Sequence, residues 1–110
     1  MPVRATDKNP LQVQPGMIRS VLSHGERLML VEVVLDRGVT VSTHAHPHEQ
    51  ASYVVRGSVL FQVGDNDFAL AAGESCLIPS GVAHSAEALS DCTLVDAFSP
   101  PRDDFLGDAS

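Results

Sequence analysis

Residues 38–57, GVTVSTHAHPHEQASYVVRG, decide the fold of this chain. Within seven residues the stretch has four side chains able to bind a metal, which are His44, His46, His48 and Gln50. If residues 39–46 form a strand, the first two histidines point to the same face, about 7 Å apart. Pro47 then ends the strand, and the glutamine returns on the next one. The alternation therefore predicts two imidazoles that meet one ion.

A further ligand for such an ion has to come from outside the stretch, and His84 is the candidate. Imidazole nitrogens suit zinc, nickel, copper or iron(II), and the ligand set does not separate these ions. His48 is two residues after His46 and would share its strand face, but Pro47 lies between them and ends the strand. We therefore place His48 at the rim of the site or behind the ligands. His24 stands in a Ser-His-Gly turn and is expected to face solvent. The predicted metal ligands are therefore His44, His46, Gln50 and His84.

The composition describes one small acidic domain. The chain has 110 residues, of which 44% are hydrophobic, and this suits a single core. Seven basic and fourteen acidic residues give a net charge of −7, which argues against the basic surface that a nucleic-acid partner needs. Two cysteines are too few for a disulfide framework, and neither an apolar leader nor a run of about eighteen apolar residues is present. We therefore expect a cytoplasmic protein without nucleic-acid or membrane partners.

Short apolar runs separated by turn residues predict eight to ten strands and no helix. Residues 27–36, RLMLVEVVLD, predict a strand buried on most of both faces. Residues 58–63 and 68–71 flank a Gly-Asp-Asn-Asp turn and predict a hairpin. Residues 1–16 are polar, contain three prolines and predict an arm, with an edge strand at residues 11–13. Further strands at 17–23, 75–78, 82–89 and 92–98 would complete an all-β sandwich or barrel at residues 17–99, followed by a tail at 100–110.

Two glycine-bounded motifs together resemble those of the cupin superfamily. The first cupin motif is G-x5-H-x-H-x3-E-x6-G, and at its spacing this chain has Gly38, His44, His46, Gln50 and Gly57. The second is G-x5-P-x-G-x2-H-x3-N, and at its spacing the chain has Gly73, Pro79, Gly81 and His84. The resemblance implies a single-domain double-stranded β-helix, or jelly-roll barrel, with one divalent transition metal ion (nickel, zinc, manganese or iron) inside. The chain departs from the motifs at Gln50 and Ala88, where they have glutamate and asparagine.

The glutamine changes the charge expected at the site. Three neutral imidazoles and a neutral amide leave the charge of a divalent ion uncompensated, whereas a glutamate would cancel one unit. A positively charged, Lewis-acidic centre suits an anionic ligand, even in an acidic protein. Gln50 therefore favours an anionic substrate and weakens an oxidase interpretation.

The segment HAHPHEQASYVVRG and the later segment DAFSPPRDDFL are similar to KdgF-type cupins. Those proteins convert 4,5-unsaturated monouronates from pectin or alginate breakdown into linear keto acids by ring opening and ketonisation. The resemblance implies metal binding by His44, His46, Gln50 and His84, and it places the catalytic aspartate, phenylalanine and arginine of the group at Asp96, Phe98 and Arg102. It also implies a small anionic sugar as substrate. A homodimer is expected because small cupins commonly pair.

The same three later residues also suit this chemistry by position. Asp96 and Phe98 share one face of a strand, and two prolines turn the chain so that Arg102 folds back over a barrel mouth. Asp96 then supplies a general acid and base, Phe98 an apolar wall for a sugar ring, and Arg102 a planar fork for a carboxylate. Aspartates near strand ends are also common turn residues, and arginines after prolines are often solvated. Position alone leaves both interpretations open.

Two other functions stay open on this evidence. One is a different metal-dependent small cupin enzyme, such as a dioxygenase or a lyase of a small carboxylate. The other is a non-catalytic sugar- or metabolite-binding cupin. Outside the site, Arg56 is expected on a hairpin surface, and Cys76 and Cys92 are expected to be buried small hydrophobes.

Overall fold

A computed structural model describes residues 1–107 and is built almost entirely from β-strands. The strands, in chain order, are β1 (Leu11–Gln14), β2 (Met17–His24), β3 (Met29–Leu35), β4 (Thr40–His44), β5 (Glu49–Arg56), β6 (Ser58–Val63), β7 (Asn66–Ala71), β8 (Ser75–Ile78), β9 (His84–Ala88) and β10 (Cys92–Ser99). A 3₁₀ turn, Ala5–Asp7, precedes them, and helix α1, Asp103–Gly107, follows them. The all-β class is confirmed.

Helix α1 corrects the expectation that the chain has no helix. Its five residues are too few to show a helical period in the sequence, and a helix this short depends on tertiary contacts. Neither helix in the described part of the chain has the length and apolar character needed to cross a bilayer. Residues 108–110 of the predicted tail lie outside the described residues.

The strands form two antiparallel sheets that face each other. One sheet has six strands in the order β1-β2-β3-β10-β5-β8, and the other has four in the order β4-β9-β6-β7. Apolar side chains from both sheets fill the space between them, and burial of each large one contributes roughly 1.5–3 kcal/mol. The core is made by Met17, Met29, Val31, Val33, Leu35, Val54, Val59, Phe61, Val63, Ile78, Ala88, Cys92, Leu94 and Phe98. This core also borders a cavity, which is lined in part by Met17, Val33, Leu35, Phe61, Leu94 and Phe98.

Strand β3 is buried on one face only, which corrects the prediction for residues 27–36. Its side chains alternate between buried and half-buried positions along the whole strand. Leu30 and Val34 occupy half-buried positions, and Glu32 between them forms an ion pair with Lys8 at 3.0 Å. Apolar β-branched residues suit a partly exposed pleated surface as well as a core, so the continuous apolar run did not reveal the outer face.

Strand β4 ends at His44, two residues earlier than the sequence predicted. Its pairing with β9 becomes irregular between Val41 and His44, and His46 lies in the turn that leads into β5. Pro47 explains the early end, because it has no N–H for a ladder and it restricts the preceding residue to extended conformations. His46 therefore belongs to a connection and not to the strand that holds His44.

Two glycine turns set the path of the chain before and after β6. Hairpin β6–β7 has a two-residue loop at Gly64-Asp65, so β7 begins at Asn66, earlier than predicted, and the positive φ of 57° at Gly64 suits such a loop. The chain crosses from the six-stranded to the four-stranded sheet at Gly57, where φ is 83°. A Cβ at Gly57 would collide with the carbonyl oxygen of Asp91 and lie 2.8 Å from the Cβ of Cys92. Only glycine fits this crossing.

Strand β1 forms the outer edge of the six-stranded sheet. Residues 11–14 pair with β2 in an antiparallel register that shifts between Gln12 and Gln14. An edge strand was predicted at residues 11–13, so the strand lies where the sequence placed it. The residues before β1 form the 3₁₀ turn and an extended connection.

Candidate metal centre and substrate pocket

Three histidines from different segments converge between the two sheets. His44 and His84 are direct partners across β4 and β9, and their ring centroids lie 4.3 Å apart. The ring of His46 lies 4.9 Å from that of His84 and 5.5 Å from that of His44. The candidate ligand nitrogens of the three rings all lie within 4.8 Å of one another. The structure therefore brings together the three histidines that the sequence predicted as ligands.

Backbone carbonyl groups fix the tautomers of two of these histidines. Nδ1 of His44 donates to the carbonyl oxygen of Ser42 at 2.8 Å, and Nδ1 of His84 donates to that of Val82 at 2.9 Å. Because a carbonyl oxygen only accepts, Nδ1 carries the proton in each neutral ring and Nε2 keeps its lone pair. Nε2 of His84 is buried and has no hydrogen-bond partner among residues 1–107. Both rings thus present an unprotonated nitrogen, the form that binds a metal.

Gln50 adds an amide oxygen to the histidine cluster. Its Oε1 lies 3.1 Å from Nε2 of His46, and its Nε2 donates to Oγ of Ser52 at 2.9 Å. The hydroxyl of Ser52 therefore orients the amide so that the oxygen, and not the nitrogen, faces the histidines. Both Gln50 and Ser52 are buried.

Burial favours the neutral form of the two buried histidines, His46 and His84. It lowers the pKa of His46 to about 4, and the charges of Arg102, His84 and His44 act in the same direction. Burial also lowers the pKa of His84. Metal ions bind neutral imidazole, so these rings do not need to lose a proton at neutral pH before they bind one.

The cluster has the chemistry of a divalent transition-metal site. It offers three imidazole nitrogens and one amide oxygen, and a buried ring nitrogen of His84 has no partner without an ion. His48 lies beside the cluster, with its ring centroid 5.4 Å from that of His46, and no candidate metal group among the described residues includes it. The residues present therefore fit such an ion, and the donor set does not select among nickel, zinc, manganese and iron.

Asp96 faces the same space from the six-stranded sheet. It lies on β10 as the register partner of Ser52, and its side chain is buried. Burial raises its pKa to about 6, although hydrogen bonds from Ser52 and Gln50 and the charge of Arg102 oppose the rise. Its Oδ1 has no hydrogen-bond partner within the described residues. A carboxyl group with this pKa can both give and take a proton near neutral pH.

Phe98 and Arg102 complete the wall beside Asp96. The ring of Phe98 is buried and lies 5.8 Å from that of His46 in an edge-to-face arrangement. The guanidinium carbon of Arg102 lies 5.3 Å from the centre of the Phe98 ring, and its side chain is 13% exposed. Arg102 also donates to both carboxylate oxygens of Asp104, at 3.1 and 2.9 Å. The chain after β10 thus returns to the site, as its two prolines predicted.

These groups surround one cavity of about 220 Å³. Its lining includes His44, Gln50, Ser52, His84, Asp96, Phe98, Arg102 and Phe105. The volume is below that of pockets for drug-sized ligands and suits a small molecule such as a monosaccharide. A larger groove of about 520 Å³ runs outside the barrel past Met1 and His24, and its lining residues contain no metal-ligand cluster.

Three of the cavity residues that the sequence did not predict are Ser52, Arg19 and Phe105. Ser52 lies two positions from Gln50 on the same strand face, which was a usable signal for a residue that orients it. Arg19 lies two residues after the buried Met17 on β2, so its side chain points to the same, inward face of the strand. The sequence therefore already showed a charged residue at a position where core residues are expected. Phe105 gave no signal, because its position depends on how α1 folds back.

The residues expected outside the site are found there. His24 and Arg56 are exposed. Cys92 is buried as predicted, whereas Cys76 is only half-buried, on strand β8 at the edge of the six-stranded sheet. Burial raises the pKa of the Cys76 thiol to about 11, so it is a poor nucleophile at neutral pH.

Known proteins share both the fold and much of the sequence. Residues 31–98 match the cupin domain family. The pectin degradation protein KdgF of Dickeya dadantii (strain 3937) is 30% identical over 93 residues, which are 83% of this chain and 84% of that protein.

Two solved structures superpose closely. The structure of KdgF from Halomonas sp. has a TM-score of 0.89 and 33% identity, and the match covers 94% of this chain and 96% of that one. An RmlC-like cupin from Shewanella frigidimarina NCIMB 400 has a TM-score of 0.88 and 34% identity, over 93% of this chain and 92% of that one. With the two sheets and the histidine cluster between them, these matches show that the chain belongs to the cupin family.

Proposed function

We propose that this protein is a metal-dependent enzyme that opens the ring of 4,5-unsaturated monouronates, released from pectin or alginate, and converts them to linear keto acids. The observation that carries the proposal is that a metal-ligand cluster, a buried carboxyl group and an arginine border one small cavity. The similarity to the pectin degradation protein KdgF supports the substrate class.

The reaction is an isomerisation. The bond between the anomeric carbon and the ring oxygen breaks, which leaves an aldehyde at one end and an enol beside the carboxylate at the other. The enol then becomes a ketone when a proton is added to the alkene carbon and another leaves the enol oxygen. Substrate and product contain the same atoms, so the reaction needs no co-reactant. A small site with one acid-base group is therefore sufficient for it.

The metal site would be formed by His44, His46, Gln50 and His84. A bound divalent ion would supply Lewis acidity to the substrate carboxylate and its neighbouring oxygen, where negative charge develops. Because Gln50 is neutral, the four ligands add no negative charge to that of the ion.

Asp96 is assigned the proton transfers. Its pKa of about 6 allows it to exist in both protonation states near neutral pH, and general acid-base catalysis is most effective under that condition. Asp96 lines the cavity, and its Oδ1 has no hydrogen-bond partner among residues 1–107. Phe98 forms the apolar wall beside it, and Arg102 contributes positive charge for the substrate carboxylate.

Loss of the alkene absorbance of unsaturated galacturonate and mannuronate tests the proposal. Metal-loaded protein should accelerate the loss, and metal-stripped protein should do so much less. His84→Ala should bind less metal and lose activity, because it removes a ligand from the cluster. His24→Ala is the matched control, since His24 is exposed and belongs to no candidate metal group among the described residues.

The absence of any acceleration by metal-loaded wild-type protein on both sugars would remove the proposed reaction. Iron-dependent oxygen uptake with a small carboxylate would instead favour a dioxygenase.

A further inference from the structure

The cavity beside the histidine cluster and the groove outside the barrel share part of their lining. The cavity, of about 220 Å³, is bordered by His44 and His84, whereas the lining of the groove, of about 520 Å³, includes neither. Two residues, Arg19 of β2 and Phe105 of α1, line both spaces. Because each of them borders the cavity and the groove, the pair lies between the two.

Three neighbouring side chains hold the ring of Phe105 in place. The guanidinium carbons of Arg19 and Arg102 lie 3.8 and 4.2 Å from the centre of the ring, which are cation–π distances. The buried ring of Phe98 lies 5.6 Å away and meets it edge to face, at 88°. The position of the Phe105 ring is therefore set by residues that line the cavity, and not only by the short helix that carries it.

The next residue of α1 shows that Phe105 does more than attach the helix. Leu106 is also half-buried and also packs against the core, but it lines neither the cavity nor the groove. Both side chains attach α1 to the barrel. Phe105 is the one of the two that also separates the cavity from the groove.

A fixed aromatic ring at this point limits the size of molecule that the cavity can hold. The cavity alone is smaller than the roughly 300–1,000 Å³ of pockets for drug-sized ligands. If the ring were truncated to a methyl group, the cavity would adjoin the groove, and a second sugar ring could extend into it. The groove has polar side chains for such a ring, including Asn9, Ser23 and His24.

We propose that Phe105 is a specificity-determining residue, which limits the cavity to single sugar acids and excludes linked ones. The choice of a uronate as the ligand rests on the proposed function, whereas the size limit rests on the lining of the two spaces. Phe105 acts as a wall and takes no part in metal binding or proton transfer.

Direct binding tests the size limit without turnover. Galacturonate, which has one sugar ring, and digalacturonate, which has two linked rings, are titrated into metal-loaded protein by calorimetry. Wild type should bind galacturonate more tightly by about tenfold or more, since even one misfitting group in a pocket costs about 10–200-fold. Phe105→Ala should bind digalacturonate about tenfold more tightly than wild type does. The substitution changes no charge, so this gain would report on space.

Two further variants separate the ring from the helix that carries it. Phe105→Tyr keeps an aromatic ring and should exclude digalacturonate as wild type does. Leu106→Ala is the matched control, because it removes an apolar side chain of the same helix that lines neither space, and it should keep the wild-type preference. An equal gain of digalacturonate binding in Leu106→Ala and Phe105→Ala would mean that loosening of α1 opens the cavity, and it would overturn the role of Phe105.

Thermal melting checks that each variant folds. Should Phe105→Ala fail to fold, Phe105→Leu keeps an apolar side chain against the core but loses the flat ring, and it decides the same comparison.

The outcomes separate this role from the proposed reaction. Equal affinity of wild type for the two ligands, or an unchanged preference in the folded Phe105 variant, would overturn the size limit, whatever the turnover. Digalacturonate binding that appears when the ring is removed, without turnover of unsaturated uronates by wild type, would support Phe105 and overturn the reaction. The absence of galacturonate binding by wild type would overturn the size limit, and the alkene assay would then decide the reaction separately.

Discussion

Gln50 stands where the cupin motif has a glutamate, and its surroundings favour the neutral amide. Its oxygen faces His46 and its nitrogen donates to Ser52. A carboxylate at this position would have no N–H for the Ser52 hydroxyl to accept, and it would add a negative charge close to the buried Asp96. The amide therefore gives the ligand cluster both an oriented oxygen and an unreduced positive charge when an ion is bound.

Gln50→Glu should bind metal more tightly and uronates more weakly. The added charge attracts the ion and cancels part of its attraction for an anionic sugar, so we expect changes on the order of tenfold in opposite directions. Metal competition assays and galacturonate titration measure the two affinities. Gln62→Glu adds the same charge at an exposed position on β6 and is the control. A parallel change in both affinities would contradict this account.

Asp96→Asn should abolish turnover and leave the metal content unchanged. The amide cannot transfer a proton, and loss of general acid-base catalysis typically costs about 10²–10⁴-fold in rate. Element analysis of the purified variant and the alkene assay make the comparison. Asp67→Asn, an exposed substitution on β7, should change neither quantity. Full activity of Asp96→Asn would show that this carboxyl group is not the proton donor.

The same substitution should stabilise the metal-free protein at neutral pH. Because the pKa of Asp96 is raised from 3.8 to about 6, the folded protein holds the proton more tightly than the unfolded chain. The free energy of unfolding therefore falls as pH rises from about 4 to 6, and the loss is complete above 6. Asp96→Asn removes this loss, which amounts to on the order of 2–3 kcal/mol.

Denaturant unfolding of wild type and Asp96→Asn at pH 4 and pH 7 measures the difference. The variant should gain stability over wild type at pH 7 and little at pH 4. If the two proteins differed in free energy of unfolding by the same amount at pH 4 and at pH 7, the carboxyl group of Asp96 would have an ordinary pKa in the folded protein.

At the scale of elements, the site depends on strands that carry its side chains from opposite sheets. His44 and His84 come from the four-stranded sheet, whereas Gln50, Asp96 and Phe98 come from neighbouring strands of the six-stranded sheet. The connection at Gly57 is where the chain passes from one sheet to the other directly after β5.

Gly57→Ala should therefore destabilise the fold strongly. The positive φ costs roughly 1–2 kcal/mol for a residue with a Cβ, and the collision with Asp91 and Cys92 adds to it, for a total of about 3 kcal/mol or more. Gly38→Ala is the matched control, because its φ is also positive but its Cβ would meet nothing within 4 Å. It should lose only about 1–2 kcal/mol. Denaturant midpoints compare the two variants, and equal losses would show that the collision is relieved at little cost.

Single elements also show where sequence patterns stop being informative. Hairpin β6–β7 and strand β8 were predicted from local turn residues and short apolar runs. The half-buried outer face of β3 and helix α1 were not, because each depends on what packs against it. Pro47 was the local cause of the early end of β4, but the path of His46 into the cluster follows from the fold.

At the scale of the whole molecule, we predict a homodimer that uses the arm at residues 1–16. Strand β1 leaves one hydrogen-bonding edge of the six-stranded sheet open, and Leu11, Val13 and Ile18 are exposed near it. An open apolar edge pairs readily with a second strand. Deletion of the arm should shift the protein from dimer towards monomer in sedimentation.

Leu77→Asp is the control for this prediction, because Leu77 is exposed on β8 at the opposite edge of the same sheet. It should leave the dimer intact. Dissociation by Leu77→Asp, with no effect of the arm deletion, would place the interface at the other edge.

The sequence by itself determined the all-β class and the cupin family, and it predicted the histidines that the fold then gathered. These follow from local chemistry, since alternation sets the faces of a strand, glycines with positive φ set the turns, and the two motifs set the spacing of the histidines. The tertiary structure alone decided which distant groups share a cavity. Asp96 is buried beside Ser52 of a neighbouring strand, and Arg19 of β2 meets Phe105 of α1, because segments far apart in sequence pack together. Burial, pairing and the resulting pKa values arise only from that packing, and the chemistry proposed here depends on them.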